Sequence, residues 1–236
     1  MSLHLALIAE RKNPPDRRVV FSPKQCADLL RQYPDIKISV ETSPLRVFPD
    51  QAYQDAGIEI VKDVSTADVL LGVKEVPIEA LIPHKTYFFF SHTIKKQPYN
   101  RDLLRAILKN NITLYDHETL VKPRGKRLVG FGRYAGIVGA YNGFRLLGLR
   151  DNLFELPKAE HLPDLQALLK ALDEISIPPI KIILTGLGKV AQGAREIIEH
   201  LGISEVSSAA FLNNAHSKPV FCNLDVTDYY ELVLFS

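Results

Sequence analysis

The chain has 236 residues, 46% hydrophobic and 24% charged, the balance of a soluble globular protein with room for one large domain or two small ones. Its formal net charge of +2 is too small to imply nucleic acid as a partner, and no apolar run reaches the roughly 18–20 residues that span a bilayer. Cys26 and Cys222 are the only cysteines, so no disulfide framework is expected and a reducing cytoplasm is the expected compartment.

The opening MSLHLALIAERK has no basic segment ahead of its apolar stretch. It reads as a buried first strand over residues 3–9, not as a signal peptide. Pro23 opens a helix through residue 32, with Ser22 as its N-cap. Residues 36–40 form a second strand, and residues 51–56 a short helix ending at Gly57. Strands follow at 68–73, 87–90 and 112–115. Between the last two, Leu103, Leu104, Ile107 and Leu108 make a helical stripe that packs on the sheet.

Residues 132–149 differ in character. Gly132, Ala135, Gly136, Gly139, Ala140 and Gly143 recur at spacings of three or four, and small residues on one helical face permit close approach of another element. Arg133, Asn142, Arg145 and Arg150 rule out a membrane helix. A buried helix passing from a first domain to a second is expected. A polar link then leads to a helix over 161–172, with Leu162, Leu165, Leu168, Leu169 and Leu172 in register, stopped by Pro178-Pro179. The alternation of strands and helices defines an α/β fold. Two Rossmann-like domains with mainly parallel sheets are expected, the second incomplete. The first is expected over residues 1–132 and the second, entered by that linking helix, over residues 133–236.

A strand over 181–185 leads into Gly186-Leu187-Gly188-Lys189-Val190-Ala191 and then a helix to about residue 200. This is G-x-G-x-x-A in the strand-turn-helix context that dinucleotide binding requires. Gly186 permits the tight turn, Gly188 lets the backbone approach a pyrophosphate, and Ala191 lets the helix pack close to the strand. The helix N-terminus offers free N–H groups and partial positive charge to the phosphates. The next strand is expected over 205–211, followed by a polar segment at 212–218 without a carboxylate to take the ribose hydroxyl. Lys218 is then placed to meet a 2′-phosphate, so NAD and NADP both stand as cofactors.

Several strands of the first domain end in polar residues: Glu10-Arg11-Lys12, Lys74-Glu75, His92, and Asp116-His117-Glu118. In an α/β sheet, ligands bind beyond the carboxyl ends of the strands. Lys74 and His92 therefore read as an acid/base pair facing one cleft, with Glu75 and Glu118 tuning their protonation. Arg18 and Arg127 are within reach of the same edge, and a guanidinium binds carboxylates in a bidentate manner. The seven histidines show no metal-ligand spacing, and no metal is expected.

Three stretches of the first domain resemble the lysine-forming saccharopine dehydrogenases: Leu71-Gly72-Val73-Lys74, the run from Lys85 to Lys95 with its Phe90-Ser91-His92-Thr93-Ile94-Lys95, and Val129-Gly130-Phe131-Gly132-Arg133-Tyr134-Ala135-Gly136. Thr185-Gly186-Leu187-Gly188-Lys189-Val190-Ala191 is similar to that group's cofactor turn. The nearest likeness is to the lysine–2-oxoglutarate reductase part of the bifunctional lysine-degrading enzyme. Alanine dehydrogenase and the soluble transhydrogenase subunit lie in the wider superfamily. The resemblance implies that lysine and 2-oxoglutarate condense to an imine that NAD(P)H reduces to saccharopine. It makes Lys74 and His92 the acid/base pair, Glu75 and Glu118 their electrostatic partners, and Arg18 and Arg127 the ligands of substrate carboxylates.

Members of that family are longer. This chain ends soon after the glycine turn, on the apolar Glu231-Leu232-Val233-Leu234-Phe235-Ser236, which would suit an interior strand. A truncated chain is expected, with homo-oligomerisation as one way to cover the exposed sheet edge. Two other readings stay open: an alanine-dehydrogenase-like enzyme, and a non-catalytic nucleotide-binding module.

Overall fold

The computed structural model describes residues 2–123, 125 and 127–231. Two compact units divide between Gly130 and Phe131. The apolar tail at 232–236 lies outside the described residues, as do Arg124 and Lys126 of the basic segment.

The first unit runs β1 (Leu3–Leu7), α1 (Pro23–Gln32), β2 (Ile36–Glu41), α2 (Asp50–Asp55), β3 (Glu59–Val61), β4 (Val69–Leu71), β5 (Thr86–Phe89), α3 (Arg101–Lys109) and β6 (Thr113–Asp116). Ser22 and Pro23 start α1 as their chemistry dictates. The Ser22 hydroxyl accepts the Gln25 N–H and the Gln25 side chain accepts the Ser22 N–H, while proline occupies the first turn, where no donor is needed. The strand β3 escapes sequence patterning, because three residues are too few to show an alternation.

All six strands are parallel, in the order β3-β2-β1-β4-β5-β6. The chain winds outward from β1 to β3, then returns past β1 to β4 and winds outward the other way. Loops after β1 and β4 therefore leave in opposite directions, and a crevice opens at their carboxyl ends. Alternate residues of each strand feed two cores. Ala6, Leu70, Tyr87 and Phe89 pack with Leu103 and Ile107 of α3. Leu7, Ile38, Val40 and Leu71 pack with Cys26 of α1 and Tyr53 of α2. Burial on both faces is the normal condition of a parallel sheet.

The second unit contains α4 (Gly132–Asp151), α5 (Leu165–Asp173), β7 (Lys181–Thr185), α6 (Lys189–His200), β8 (Ser204–Glu205), α7 (Ser208–Asn213) and β9 (Val220–Leu224). Among the described residues its sheet has three parallel strands in the order β7-β9-β8. Three expectations are corrected here. The helix expected over 161–172 starts later, at Leu165, because the Asp164 side chain caps it by accepting the Ala167 N–H. The strand expected over 205–211 ends at Glu205, because the Ser207 hydroxyl accepts the Ala210 N–H and starts α7. The helix expected to be buried, α4, lies wholly in the second unit and is covered along one face only, by way of Gly136, Ile137, Tyr141, Phe144 and Gly148.

The small residues of α4 act at one crossing. A Cβ built on Gly136 would stand 1.9 Å from the Val190 carbonyl oxygen, and one on Gly193 would stand 1.9 Å from the Arg133 carbonyl oxygen. The backbones of α4 and α6 touch there, and Arg133 pairs with Glu196 beside the crossing. Gly139 has nothing within 4 Å of such a Cβ.

Alanine raises helix propensity by about 1 kcal/mol over glycine. At Gly136 that gain meets a backbone oxygen no rotamer can move, and overpacking costs about 1–3 kcal/mol. Denaturant unfolding is therefore expected to show Gly136→Ala destabilised by about 2 kcal/mol and Gly139→Ala stabilised by up to about 1 kcal/mol.

Candidate functional site

The carboxyl edge of the six-stranded sheet collects the charged residues. Glu10, just beyond β1, reaches across to the loop after β4. Its Oε1 accepts the Val73 N–H at 2.6 Å and its Oε2 accepts the Lys74 N–H at 2.9 Å. Burial pushes the Glu10 carboxyl above its ordinary value, and the two N–H groups oppose that only in part. Arg18 holds Asp16 through Nε and Nη2, with Nε 2.9 Å from Oδ1. The Arg18 hydrogen bond chiefly keeps the Asp16 carboxyl below the usual range, burial opposes it, and the Lys74 charge adds to the lowering. Arg18 is thus engaged by a carboxylate of its own loop.

A second network centres on His92. Lys12 Nζ donates to Glu75 Oε1 at 2.7 Å. The other oxygen, Oε2, lies 3.9 Å from His92 Nε2. On the far side of the ring, Nδ1 is 3.1 Å from Glu118 Oε2 and 3.3 Å from Lys95 Nζ. Glu118 Oε1 in turn is 3.4 Å from Lys95 Nζ and 3.5 Å from Arg127 Nη2. Burial raises both Glu75 and Glu118. Lys12 and His92 outweigh it at Glu75, and His92 and Lys95 outweigh it at Glu118, so both carboxyls sit below their ordinary value. The imidazole stands between two ionised carboxylates.

This arrangement gives the two ring nitrogens different tasks. An Nδ1 that carries the proton donates it to Glu118. The Nε2 lone pair then faces Glu75 across a gap too long for a hydrogen bond, free to exchange a proton with a third group. Glu75 Oε2 and His117 Nδ1 are the buried side-chain polar atoms without a hydrogen-bond partner among the described residues.

The backbone at His92 is unusual. Its φ of 57° is left-handed, a conformation that costs a non-glycine residue about 1–3 kcal/mol. The His92 carbonyl accepts from Asn100 Nδ2 at 3.2 Å and from the Lys95 N–H at 3.1 Å. A net contribution of about 1 kcal/mol per bond offsets strain of that size.

Glu75, His92, Glu118 and Arg127 thus form one contiguous network. Lys74 and Arg18 belong to the neighbouring Glu10–Asp16 cluster. The link between the two loops is Glu75, the residue after Lys74. Sequence reasoning missed Glu10 as the bracket over the crevice and Lys12 as the partner of Glu75. The one available signal for Glu10 was an acid directly after an apolar strand.

In the second unit, Gly186 has φ +86°, which only glycine adopts without strain. A Cβ on Gly188 would meet nothing within 4 Å, so the approach to the turn is open. Among the described residues no side chain caps α6, which leaves its first N–H groups available to an anion. Leu187, Lys189 and Val190 are exposed, while Ala191 is buried. These features fit a dinucleotide pyrophosphate. Asn223 Nδ2 donates to the Leu184 and Gly186 carbonyls at 3.1 and 3.0 Å and so clamps the turn, a contact that was not foreseen. Two expectations fail. Glu205 does supply a carboxylate at the end of β8, held 2.5 Å from Arg195 Nη2. Lys218 precedes Val220, which pairs with Lys181, so it stands at the sheet edge opposite the glycine turn. It cannot meet a 2′-phosphate there.

The chain belongs to the family described as alanine dehydrogenase/PNT, N-terminal domain, whose model matches residues 6–138, more than half of its length. Alpha-aminoadipic semialdehyde synthase of Arabidopsis thaliana is 35% identical over 219 residues, 84% of this chain and 21% of that protein. The mitochondrial enzyme of that name from Bos taurus is 37% identical over 215 residues, 84% of this chain and 23% of that protein. Saccharopine dehydrogenase [NAD(+), L-lysine-forming] of Candida glabrata is 32% identical over 228 residues, 87% of this chain and 59% of that protein. The chain therefore spans about a fifth of the synthases and under three-fifths of the dehydrogenase. An L-alanine dehydrogenase structure shares the fold, with a TM-score of 0.64 at 16% identity over 96% of this chain and 62% of that one. The transhydrogenase of Sinorhizobium meliloti does so with a TM-score of 0.58 at 19% identity, over 88% of this chain and 60% of that one.

Glu10 yields a pH test. Its folded-state pKa is raised, so its contribution to stability is fully present below the unfolded value near 4.5 and is lost as pH rises through the folded value. Glutamine at this position does not titrate. The stability advantage of the wild type over Glu10→Gln is expected to shrink as pH rises above about 4.5. Urea unfolding at a series of pH values checks the sign.

Proposed function

We propose that the chain carries the catalytic and cofactor-turn parts of an NAD(P)-dependent oxidoreductase that interconverts lysine plus 2-oxoglutarate with saccharopine. The observation that carries this reading is His92 set between two ionised carboxylates at the carboxyl edge of the sheet, beside the loop of Lys74. The relatives named for saccharopine dehydrogenase and aminoadipic semialdehyde synthase support it.

Condensation of an amine with a ketone takes a proton from nitrogen and delivers one to the departing oxygen. Lys74 moves protons in this condensation and in its reverse, without forming a Schiff base itself. His92 uses Nε2 for the complementary transfer, while Glu118 holds the opposite nitrogen. Glu75 and Glu118 tune the pair electrostatically. Arg127 offers a guanidinium to a substrate carboxylate. Arg18 does the same after exchanging Asp16 for the substrate. Gly186, Leu187, Gly188, Lys189 and Val190 form the turn for NAD or NADP, and when bound the nicotinamide supplies or accepts a hydride.

Oxidation of NADH and of NADPH is to be followed with lysine plus 2-oxoglutarate, and separately with pyruvate plus ammonia. Turnover with the first pair is expected. Turnover with the second pair alone identifies an alanine-dehydrogenase-like enzyme, and nucleotide binding without turnover identifies a non-catalytic module. Lys74→Met is expected to lower kcat by about 100-fold or more, the usual worth of a general acid/base. Wild-type turnover in that variant overturns the assignment.

The cofactor turn has its own test. Gly188 has extended backbone and open space, so serine fits there and is a better helix cap than glycine. Gly188→Ser is expected to keep or slightly raise stability while weakening NAD(H) binding at least about tenfold, because its side chain fills the phosphate approach. Calorimetric titration with unchanged affinity overturns the assignment.

A further inference from the structure

We infer that Asp116 is the positioning residue that sets the contact between His92 and Glu118, a role that rests on the acid/base reading of His92. Asp116 is the last residue of β6 and is 6% exposed. Its Oδ2 accepts the Ser91 hydroxyl in a short hydrogen bond. Its Oδ1 accepts the Glu118 backbone N–H at 2.8 Å. Ser91 immediately precedes His92, so one buried carboxylate grips the chain on both sides of the 3.1 Å contact between His92 Nδ1 and Glu118 Oε2.

The grip extends around the strained residue. The Ser91 hydroxyl oxygen also accepts the Thr93 N–H at 3.1 Å and lies 2.8 Å from Thr93 Oγ1, so the residues on either side of His92 are tied to one buried group. Pairing of Phe89 with Asp116 in the β5–β6 register brings the two strand ends level. His117 N–H donates to the Phe89 carbonyl at 3.1 Å and continues the pairing one residue further. The Asp116 carboxylate takes its hydrogen bonds from Ser91 and Glu118 and not from the imidazole. It acts by fixing where two other chains of atoms begin.

A purely structural Asp116 would satisfy two donors and do nothing more. The two roles differ in what asparagine does. Asparagine keeps the volume of Asp116 but loses its charge and replaces one acceptor oxygen by an NH2 group, so either the Ser91 hydroxyl turns from donor to acceptor or the Glu118 N–H loses its partner, and the grip changes. The unliganded chain, labelled with nitrogen-15 in histidine, reports the result through the His92 ring-nitrogen shifts. Asp116→Asn is expected to move these shifts in the direction that Glu118→Gln moves them, and the double variant is expected to differ little from Glu118→Gln alone. Ser91→Ala removes a single oxygen and is expected to move the ring the same way, which keeps the test decisive where Asp116→Asn does not fold. A His92 ring at wild-type shifts in Ser91→Ala, or additive shifts in the double variant, overturns the positioning role. In the assay with lysine plus 2-oxoglutarate, Asp116→Asn is expected to lower kcat at least tenfold with the cofactor KM unchanged. A moved ring in a chain whose wild type has no turnover upholds the positioning role and overturns the reaction.

Discussion

Parallel strands deliver their ends in one direction, and this constraint assembles everything at the candidate site. The segments that follow β1, β4, β5 and β6 carry Glu10, Glu75, His92 and Glu118 to a single edge. Such a concentration of carboxylates is costly to desolvate, and the structure meets the cost differently at each. Glu10 receives two backbone N–H groups, yet burial still wins and its carboxyl is raised. Glu75 and Glu118 each have a lysine within hydrogen-bond reach, and there the cations win. The outcome is a graded set. The carboxylate bridging the crevice is the hardest to ionise, and the two flanking the imidazole are the easiest.

That gradation suits the separate jobs. A bridge between two loops needs acceptors aimed at fixed donors more than it needs charge, and Glu10 joins positions 63 and 64 residues away. A group that stabilises a histidine must keep its charge through the working pH range. Lys12 and Lys95 secure this: Lys12 pairs with the Glu75 oxygen turned away from the ring, and Lys95 Nζ stands 3.4 Å from Glu118 Oε1 and 3.3 Å from the ring Nδ1. The left-handed backbone at His92 belongs to the same logic. A turn held by hydrogen bonds at Ser91, at the His92 carbonyl and at Thr93 leaves the imidazole few alternative directions. Strain of about 1–3 kcal/mol is tolerable where several bonds of about 1 kcal/mol each enforce it.

What was legible in the sequence follows from the range of the forces involved. Local chemistry was readable. Ser22-Pro23 announced α1, the glycine pattern announced the turn at 186, and apolar runs announced five of the six strands of the first sheet. Failures came where local chemistry was ambiguous. A strand was expected over 205–211, but Ser207 within it caps a helix, and a short apolar run does not by itself distinguish the two. That single misreading carried Lys218 to the wrong edge of the sheet. The chemistry of the site was legible as residue types at strand ends, and the resemblance to known runs singled out Lys74 and His92. The partners were not legible. Lys12 with Glu75, Glu10 with Lys74, and Asn223 with Gly186 are pairings across dozens of residues that no local pattern encodes.

The glycine turn of the second unit shows how such long-range contacts make a motif usable. Gly186 and Gly188 supply conformational freedom, but a free turn would have to be ordered by the ligand, at an entropic cost to affinity. Asn223 removes part of that freedom by binding the carbonyls on both sides of Thr185. The Gly186 N–H donates to the Leu224 carbonyl at 2.7 Å and fixes the turn to β9 a second time. At the other end, the contact of Gly136 with the Val190 carbonyl and of Gly193 with the Arg133 carbonyl locks α6 against α4. The helix N-terminus is thus held from the strand side and the helix side while its first N–H groups remain open. Glycines at 136 and 193 therefore serve the same end as those at 186 and 188. The first pair fixes the helix by letting backbones touch, and the second leaves room for a phosphate to reach it.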